Sequence, residues 1–297
     1  MKNRLSRKNF IGYSAGIITG ITYGLNPLFA IPLINNGAAV ESILFFRYGL
    51  AIIILGAFLF ITGQSFHISF RQAPVLLLMG LLYTASSALL FEAYEYIASG
   101  LATTLVFLYP ALVAIIMVFF KVIPSLIVCI AIAATFVGVV IMTGGKSGDS
   151  INPIGVILSL GSGLAYAFFI VMINRNKTVK NVSNTLLTFY TLLIGAIVFA
   201  SKIIITGNPV FSGISGAAAW ANLFGLALLP TIVSTSTLAV ATRNIGATRA
   251  SVLGVFEPVT AILVGTIMFG EPLTWNIITG IIISMIAVSF VISDSRQ

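Results

Sequence analysis

Seven acidic side chains and one histidine are the whole supply of carboxyl and imidazole side chains in this 297-residue chain, and Glu257 stands apart among them. It directly precedes Pro258, seven residues into a hydrophobic run that begins at Ala250. At 1.5 Å per residue it lies about 10 Å from the end of that run. Arg243 and Arg249 are nearer the boundary, so no basic residue shares its depth. A carboxylate so placed is suited to carrying a proton or meeting a cationic group on a ligand. Its other use, when protonated, is as a hydrogen-bonding link between helices.

Tyr23, Tyr83, Tyr109, Tyr166 and Tyr190 also fall inside hydrophobic runs. A phenol offers a broad apolar face with one hydroxyl, which suits a small amphipathic ligand that must be held and then released. These five and Glu257 are the candidate substrate-binding residues. Hydroxyls such as Thr19, Ser86, Ser162, Ser234, Thr235 and Thr260 recur at similar depths, but Ser and Thr often satisfy themselves on the preceding turn.

Arg47 lies about 7 Å into its run, where a cation needs a partner or must snorkel outward. Glu92, near the end of the next run, reaches the same side, so an Arg47–Glu92 ion pair is expected. Glu41 is the competing partner, and direct contact with a substrate is the other use of this arginine. Pro110 and Pro258 interrupt runs and are candidate helix hinges, since proline removes a backbone hydrogen bond and frees a carbonyl. Pro27, after Asn26, reads as a helix terminator.

Catalysis has little to work with. The chain shows no Ser/His/Asp set, no glycine-rich phosphate loop and no metal-ligand spacing. His67 reads as a solvated loop residue and Cys129 as a small buried hydrophobe, and the two alone build neither a disulfide framework nor a metal cluster. No catalytic residue, cofactor or metal is expected.

The elements that must position these groups follow from composition. With 59% hydrophobic and 7% charged residues and a mean hydropathy of +1.12, the chain is matched to lipid as its solvent. At about 20 residues per span the length admits roughly ten helices and no soluble domain. Ten hydrophobic segments are visible, at 10–31, 42–62, 73–94, 101–120, 123–143, 153–173, 184–205, 219–241, 250–269 and 272–292. Uniformly apolar runs of this length satisfy their backbone in lipid only as helices. The expected fold is an all-α polytopic membrane protein.

The net charge of +8 comes from Lys and Arg dispersed between the runs, which points to membrane orientation and away from nucleic acid. With the N-terminus cytoplasmic, twelve of the 15 basic residues fall inside, Lys146 and Lys202 fall outside, and Arg47 is within a span. Both termini are then cytoplasmic.

The second half reads as a copy of the first, with repeats over 1–148 and 149–297. An offset of 143 aligns Gly12, Gly20 and Tyr23 with Gly155, Gly163 and Tyr166. An offset of 148 aligns Ala93, Ile97, Pro110 and Pro124 with Ala241, Ile245, Pro258 and Pro272. Five helices per repeat is an odd number, so the copies are inverted, as in many transporters that place their site between two halves.

The stretch Glu257-Pro258-Val259-Thr260-Ala261-Ile262-Leu263-Val264-Gly265, followed by Phe269-Gly270-Glu271-Pro272-Leu273-Thr274 and Gly280, resembles the EamA-like branch of the drug/metabolite transporter superfamily. Phe46-Arg47-Tyr48 and Leu108-Tyr109-Pro110-Ala111-Leu112 are weaker counterparts. The sequence departs at Ile123, the equivalent of Glu271, where the acidic turn residue is missing. The resemblance implies ten transmembrane helices in two inverted five-helix repeats. It also implies a central cavity lined by the first four helices of each half, and fifth and tenth helices available for a homodimer. Ala131 with Gly138, and Gly280 with Ala287, place small residues seven apart on those two helices, a stripe that permits close helix contact.

The expectation is a secondary transporter of the cytoplasmic membrane that moves small organic metabolites by alternating access. Export of amino acids or related compounds is favoured by the resemblance. Its partners are the bilayer and a small-molecule substrate, with no nucleic acid. The alternative is a nontransporting membrane scaffold or accessory subunit.

Overall fold

The computed structural model describes residues 2–97, 99–143, 152–207, 209–269 and 274–293. The turn from Gly270 to Leu273, with Glu271, lies outside the described residues, as do Lys146 and Arg296. The helices in chain order are α1 (Lys2–Gly24), α2 (Asn26–Asn35), α3 (Val40–Ile61), α4 (Ala73–Tyr96), α5 (Ser99–Val106), α6 (Tyr109–Phe119), α7 (Leu126–Thr143), α8 (Pro153–Arg175), α9 (Lys177–Lys180), α10 (Asn184–Thr206), α11 (Gly216–Leu226), α12 (Ser234–Ile245), α13 (Ala247–Val252), α14 (Phe256–Phe269) and α15 (Trp275–Ser293). A π-helical segment, Ala227–Val233, joins α11 to α12, and a 3-10 turn, Leu253–Val255, joins α13 to α14.

Among the described residues seven stretches are long and apolar enough to cross a membrane: Arg7–Asn35, Val40–Ile61, Ala73–Tyr96, Pro153–Arg175, Asn184–Thr206, Gly216–Ile245 and Ala247–Met268. Three shorter apolar helices, Tyr109–Phe119, Leu126–Gly138 and Ile278–Ala287, fall within the expected fourth, fifth and tenth segments. Large apolar side chains such as Phe60, Ile61, Phe119, Ile204 and Ile205 face outward, as a lipid-facing surface requires. Cys129, expected to be buried, is on an exposed face of α7.

Proline explains where these helices break. Proline cannot donate to the carbonyl four residues back, so that carbonyl needs another partner. Pro27 deprives the Tyr23 carbonyl, which accepts from Asn26 Nδ2 at 2.9 Å. The chain does not terminate there but continues as α2, so Pro27 is a break inside one long element. Pro230 likewise deprives Leu226, whose carbonyl accepts from Thr231 Oγ1 at 2.7 Å, and the helix widens to π geometry around it.

Pro110 and Pro258, the candidate helix hinges, stand second in α6 and third in α14, each just after a break in its element. At a helix start the missing N–H is one of the donors that would have no intrahelical partner anyway. Each proline therefore begins a fresh half-helix at little cost.

The halves interlock reciprocally. Helix α1 packs on α12, and α8 packs on α4, so the first helix of each half lies against the third element of the other. Helix α3 packs on α10, and α7 on α15. Repeat-matched glycines permit the close approaches. Gly12 lies against Ile245 and Gly155 against Ile97, so two glycines 143 apart meet two isoleucines 148 apart. A Cβ on Gly163 would stand 2.8 Å from the Val106 carbonyl oxygen, and one on Gly20 would stand 3.0 Å from that of Leu253. Gly138 sits against the Gly280 carbonyl, so the small-residue stripes are used between α7 and α15 of the same chain.

Candidate functional site

The four broken elements converge on a buried polar and aromatic centre. The break before α6 presents Tyr109, and the 3-10 turn before α14 presents Glu257. Tyr109 donates to Glu257 Oε1 at 3.0 Å, and the two side chains are each 1% exposed. A side chain at residue 254 would collide with the Tyr109 hydroxyl, so Gly254 is what lets the phenol reach the carboxylate.

Tyr23 from α1 stacks on Tyr166 from α8, with ring centroids 5.7 Å apart and planes 15° from parallel. Tyr109 meets Tyr166 edge-on at 4.9 Å. The row continues from Tyr166 to Phe169 at 6.4 Å, to Tyr83 at 5.2 Å and to Tyr48 at 6.0 Å. Thr235 Oγ1 donates to the Tyr83 hydroxyl at 2.9 Å, and Tyr48 donates to Ser87 Oγ at 2.6 Å. Every phenol in the row except that of Tyr23 and of Tyr166 thus makes a side-chain hydrogen bond named here.

Hydroxyls stitch the halves with the same reciprocity as the glycines. Ser162 Oγ donates to the Ser86 carbonyl at 2.7 Å, and Thr19 Oγ1 reaches the Ser234 carbonyl at 3.4 Å. Ser162 stands 143 residues after Thr19, and Ser234 stands 148 after Ser86.

The structure thus gathers Tyr23, Tyr83, Tyr109, Tyr166 and Glu257 into one cluster. It separates Tyr190, the fifth tyrosine expected there. Tyr190 is the seventh residue of α10, about 9 Å from the helix start, and donates to the Phe66 carbonyl at 2.7 Å, in the loop after α3. It clamps that loop and packs on Phe189.

The expected Arg47–Glu92 pair is also replaced. Arg47 Nε donates to Thr231 Oγ1 at 2.5 Å and Nη2 to the Pro230 carbonyl at 3.2 Å. Glu92 takes Lys202 Nζ at 2.8 Å, and Lys202 also lies 3.6 Å from Glu41. The reason is reach: Lys202, near the end of α10, meets both carboxylates at the bundle rim, while Arg47 turns inward over the π segment of the other half. Pro230, Thr231 and Phe169 were not singled out in the sequence, Tyr48 entered only within Phe46-Arg47-Tyr48, and Lys202 only through its side of the membrane. The π segment has no sequence signature beyond Pro230 itself, but Lys202 was one of only two basic residues assigned outside and so was the natural partner for Glu92.

At the opposite end of the bundle Arg243 donates to the Val182 carbonyl at 2.7 Å and to that of Val179 at 3.0 Å. Arg175 Nη2 reaches the Phe120 carbonyl at 3.5 Å. These contacts bring together groups that the charge distribution assigns to one side. Among the described residues no three His, Cys, Asp or Glu side chains converge. The centre's resources are a carboxylate, a guanidinium, phenols and aromatic faces, which bind, orient and move protons.

The sequence profile of the EamA-like transporter family matches residues 10–144 and 153–293, once for each half. A protein of Archaeoglobus fulgidus described as an uncharacterized transporter is 31% identical over 126 residues, covering 42% of this chain and 43% of that protein. A solved structure described only as a crystal structure of a protein superposes with a TM-score of 0.80 over 98% of this chain and 99% of its own. At 14% identity that likeness speaks for the fold alone. Two family matches covering nearly the whole chain, on an all-helical apolar bundle, show that this protein belongs to the EamA-like transporter family, within the drug/metabolite transporter superfamily.

Proposed function

We propose that the protein is a secondary transporter that carries small organic metabolites across the cytoplasmic membrane by alternating access. In this reading ten spans form two inverted five-helix repeats, residues 1–148 and 149–297, with both termini cytoplasmic. Cargo class and direction are amino acids or related compounds, exported. Homodimers form through the outer faces of the fifth and tenth helices.

The observation that carries this reading is the pairing of repeat counterparts at the centre. Tyr109 binds Glu257, 148 positions on, and Tyr23 stacks on Tyr166, 143 positions on. Contacts between equivalent residues lie on the pseudo-twofold axis of an inverted repeat, where a transporter exposes its site to each side in turn. The half-helix starts of α6 and α14, the break at Pro27 and the π segment around Pro230 supply joints for that motion. Purified protein in liposomes should show saturable flux of at least one compound from a broad metabolite panel. Absence of saturable flux for the whole panel overturns the reading.

A nontransporting scaffold is the second reading, favoured by the tight burial of Tyr23, Tyr83, Tyr109 and Tyr166. The two diverge in the variant Tyr166→Cys in a Cys129→Ala background. Alternating access opens the site to a water-soluble thiol reagent, whereas a permanently packed scaffold leaves that cysteine unreacted.

A further inference from the structure

Arg47 is entirely buried, and among the described residues no carboxylate pairs with it. Its two hydrogen bonds go to a hydroxyl and a carbonyl, both neutral. The faces of the guanidinium are flanked by aromatic rings, with Cζ 5.4 Å from the centre of Phe91 and 5.7 Å from that of Tyr48. Nη1 is buried with no hydrogen-bond partner among the described residues. The nearby carboxylates are committed elsewhere, Glu41 and Glu92 to Lys202 and Glu257 to Tyr109. A cation taken out of water without a counterion is costly, and neutral acceptors offset only part of that cost.

The geometry points to Arg47 as the group that receives the carboxylate of the transported molecule, with Nη1 donating to it, and so to a carboxylate-bearing cargo. This inference rests on the transporter reading above and adds to it the chemical group that is recognised. Three features set the class. One guanidinium carries one positive charge and so matches a single negative charge, whereas a phosphate dianion would bring an uncompensated charge into the same low-dielectric space. The planar guanidinium is held by Thr231 and the Pro230 carbonyl, so its free edge is already oriented for a planar carboxylate. The row running from Tyr48 through Tyr83 and Phe169 to Tyr166 then lays an apolar surface beside it for the remainder of the cargo. Because Thr231 and Pro230 belong to the π segment of the second half and Arg47 to α3 of the first, a carboxylate bound here senses how the two halves are arranged.

The test compares acids with their neutral twins. The probes are L-amino acids and straight-chain monocarboxylates, each beside its primary amide, and the readout is the unfolding midpoint of the purified wild-type protein, followed by liposome flux for every compound that shifts it. A ligand that binds the folded state raises the midpoint. The expected result is that at least one acid stabilises the protein while its amide requires about tenfold more, or greater, for the same shift, the factor of one lost charge-assisted hydrogen bond. The two probe series show whether the carboxylate must come from an amino acid. Arg47→Gln should abolish the preference of acid over amide, and Arg47→Lys should keep part of it. Equal shifts by acid and amide, no shift by any acid, or an acid preference that survives Arg47→Gln each overturns the inference. The wild-type comparison decides even where a variant fails to fold. If amides or amines are transported without any acid preference, the transporter reading stands and the role of Arg47 falls; absent flux for the broad metabolite panel removes the transporter reading itself.

Discussion

The hydroxyl of Tyr109 donates a 3.0 Å hydrogen bond to Oε1 of Glu257, and the two residues occupy the same position in the two halves of the chain, 148 residues apart. Each directly precedes a proline, and each stands at the start of a half-helix after a break. A duplicated element has thus diverged into a donor in one copy and an acceptor in the other. Two ionised carboxylates at this contact would repel.

Replacing Glu257 by Gln preserves its shape and its acceptor for Tyr109 but removes its ability to ionise. Glu257→Gln should fold with an unchanged unfolding midpoint and lose the pH-dependent component of flux in liposomes. An unchanged pH profile would remove Glu257 from proton handling. Tyr109→Phe leaves the buried carboxyl without its donor and should lower stability by about 1–3 kcal/mol, measured by denaturant or thermal unfolding in detergent.

Gly254 controls the same bond from the backbone. A methyl group there would occupy the position of the Tyr109 hydroxyl, so Gly254→Ala should displace the phenol and lower both stability and flux, as Tyr109→Phe should. Normal flux in Gly254→Ala would show that the Tyr109–Glu257 bond is dispensable.

Gly20 and Gly163 should respond alike to substitution, because each faces backbone of the other half. In Gly163→Ala the new methyl meets a carbonyl oxygen that no rotamer change can move aside. Overpacking of this kind costs about 1–3 kcal/mol. Matching losses of thermal stability in Gly20→Ala and Gly163→Ala are expected, and tolerance of either one contradicts the reciprocal packing.

Glu92 should couple to Lys202 and not to Arg47. The Lys202–Glu92 pair is partly exposed, with 40% and 30% of the side chains accessible, so its coupling should be small, about 0.2–1 kcal/mol, and should weaken with salt. Double-mutant cycles with alanine at each position measure both pairs. Additivity of Lys202→Ala with Glu92→Ala, or coupling of Arg47→Ala with Glu92→Ala, would contradict the arrangement.

Orientation is checked by labelling. In a Cys129→Ala background, Ser147→Cys should react with an impermeant maleimide on intact cells, and Thr178→Cys only after permeabilisation. The opposite pattern inverts the topology.

Much of this protein was readable from its sequence, because lipid imposes severe rules. Apolar runs of sufficient length must be helical. Two offsets, 143 and 148, marked the duplication, and applied to Thr19, Ser86 and Tyr109 they yield Ser162, Ser234 and Glu257; in space Ser162 meets Ser86, Thr19 meets Ser234 and Tyr109 meets Glu257. The candidate tyrosines were identified by type and depth alone, and four of the five converge. Partner choice was beyond the sequence. Whether Arg47 meets Glu92 or the π segment depends on which helices of opposite halves lie side by side, and whether Tyr190 faces the centre or the Phe66 loop depends on the rotation of α10 against its neighbours. Hydrophobic period places a residue at a depth. Only tertiary packing sets its azimuth, because in a helix buried or lipid-bathed on every side, apolarity no longer distinguishes one face from another.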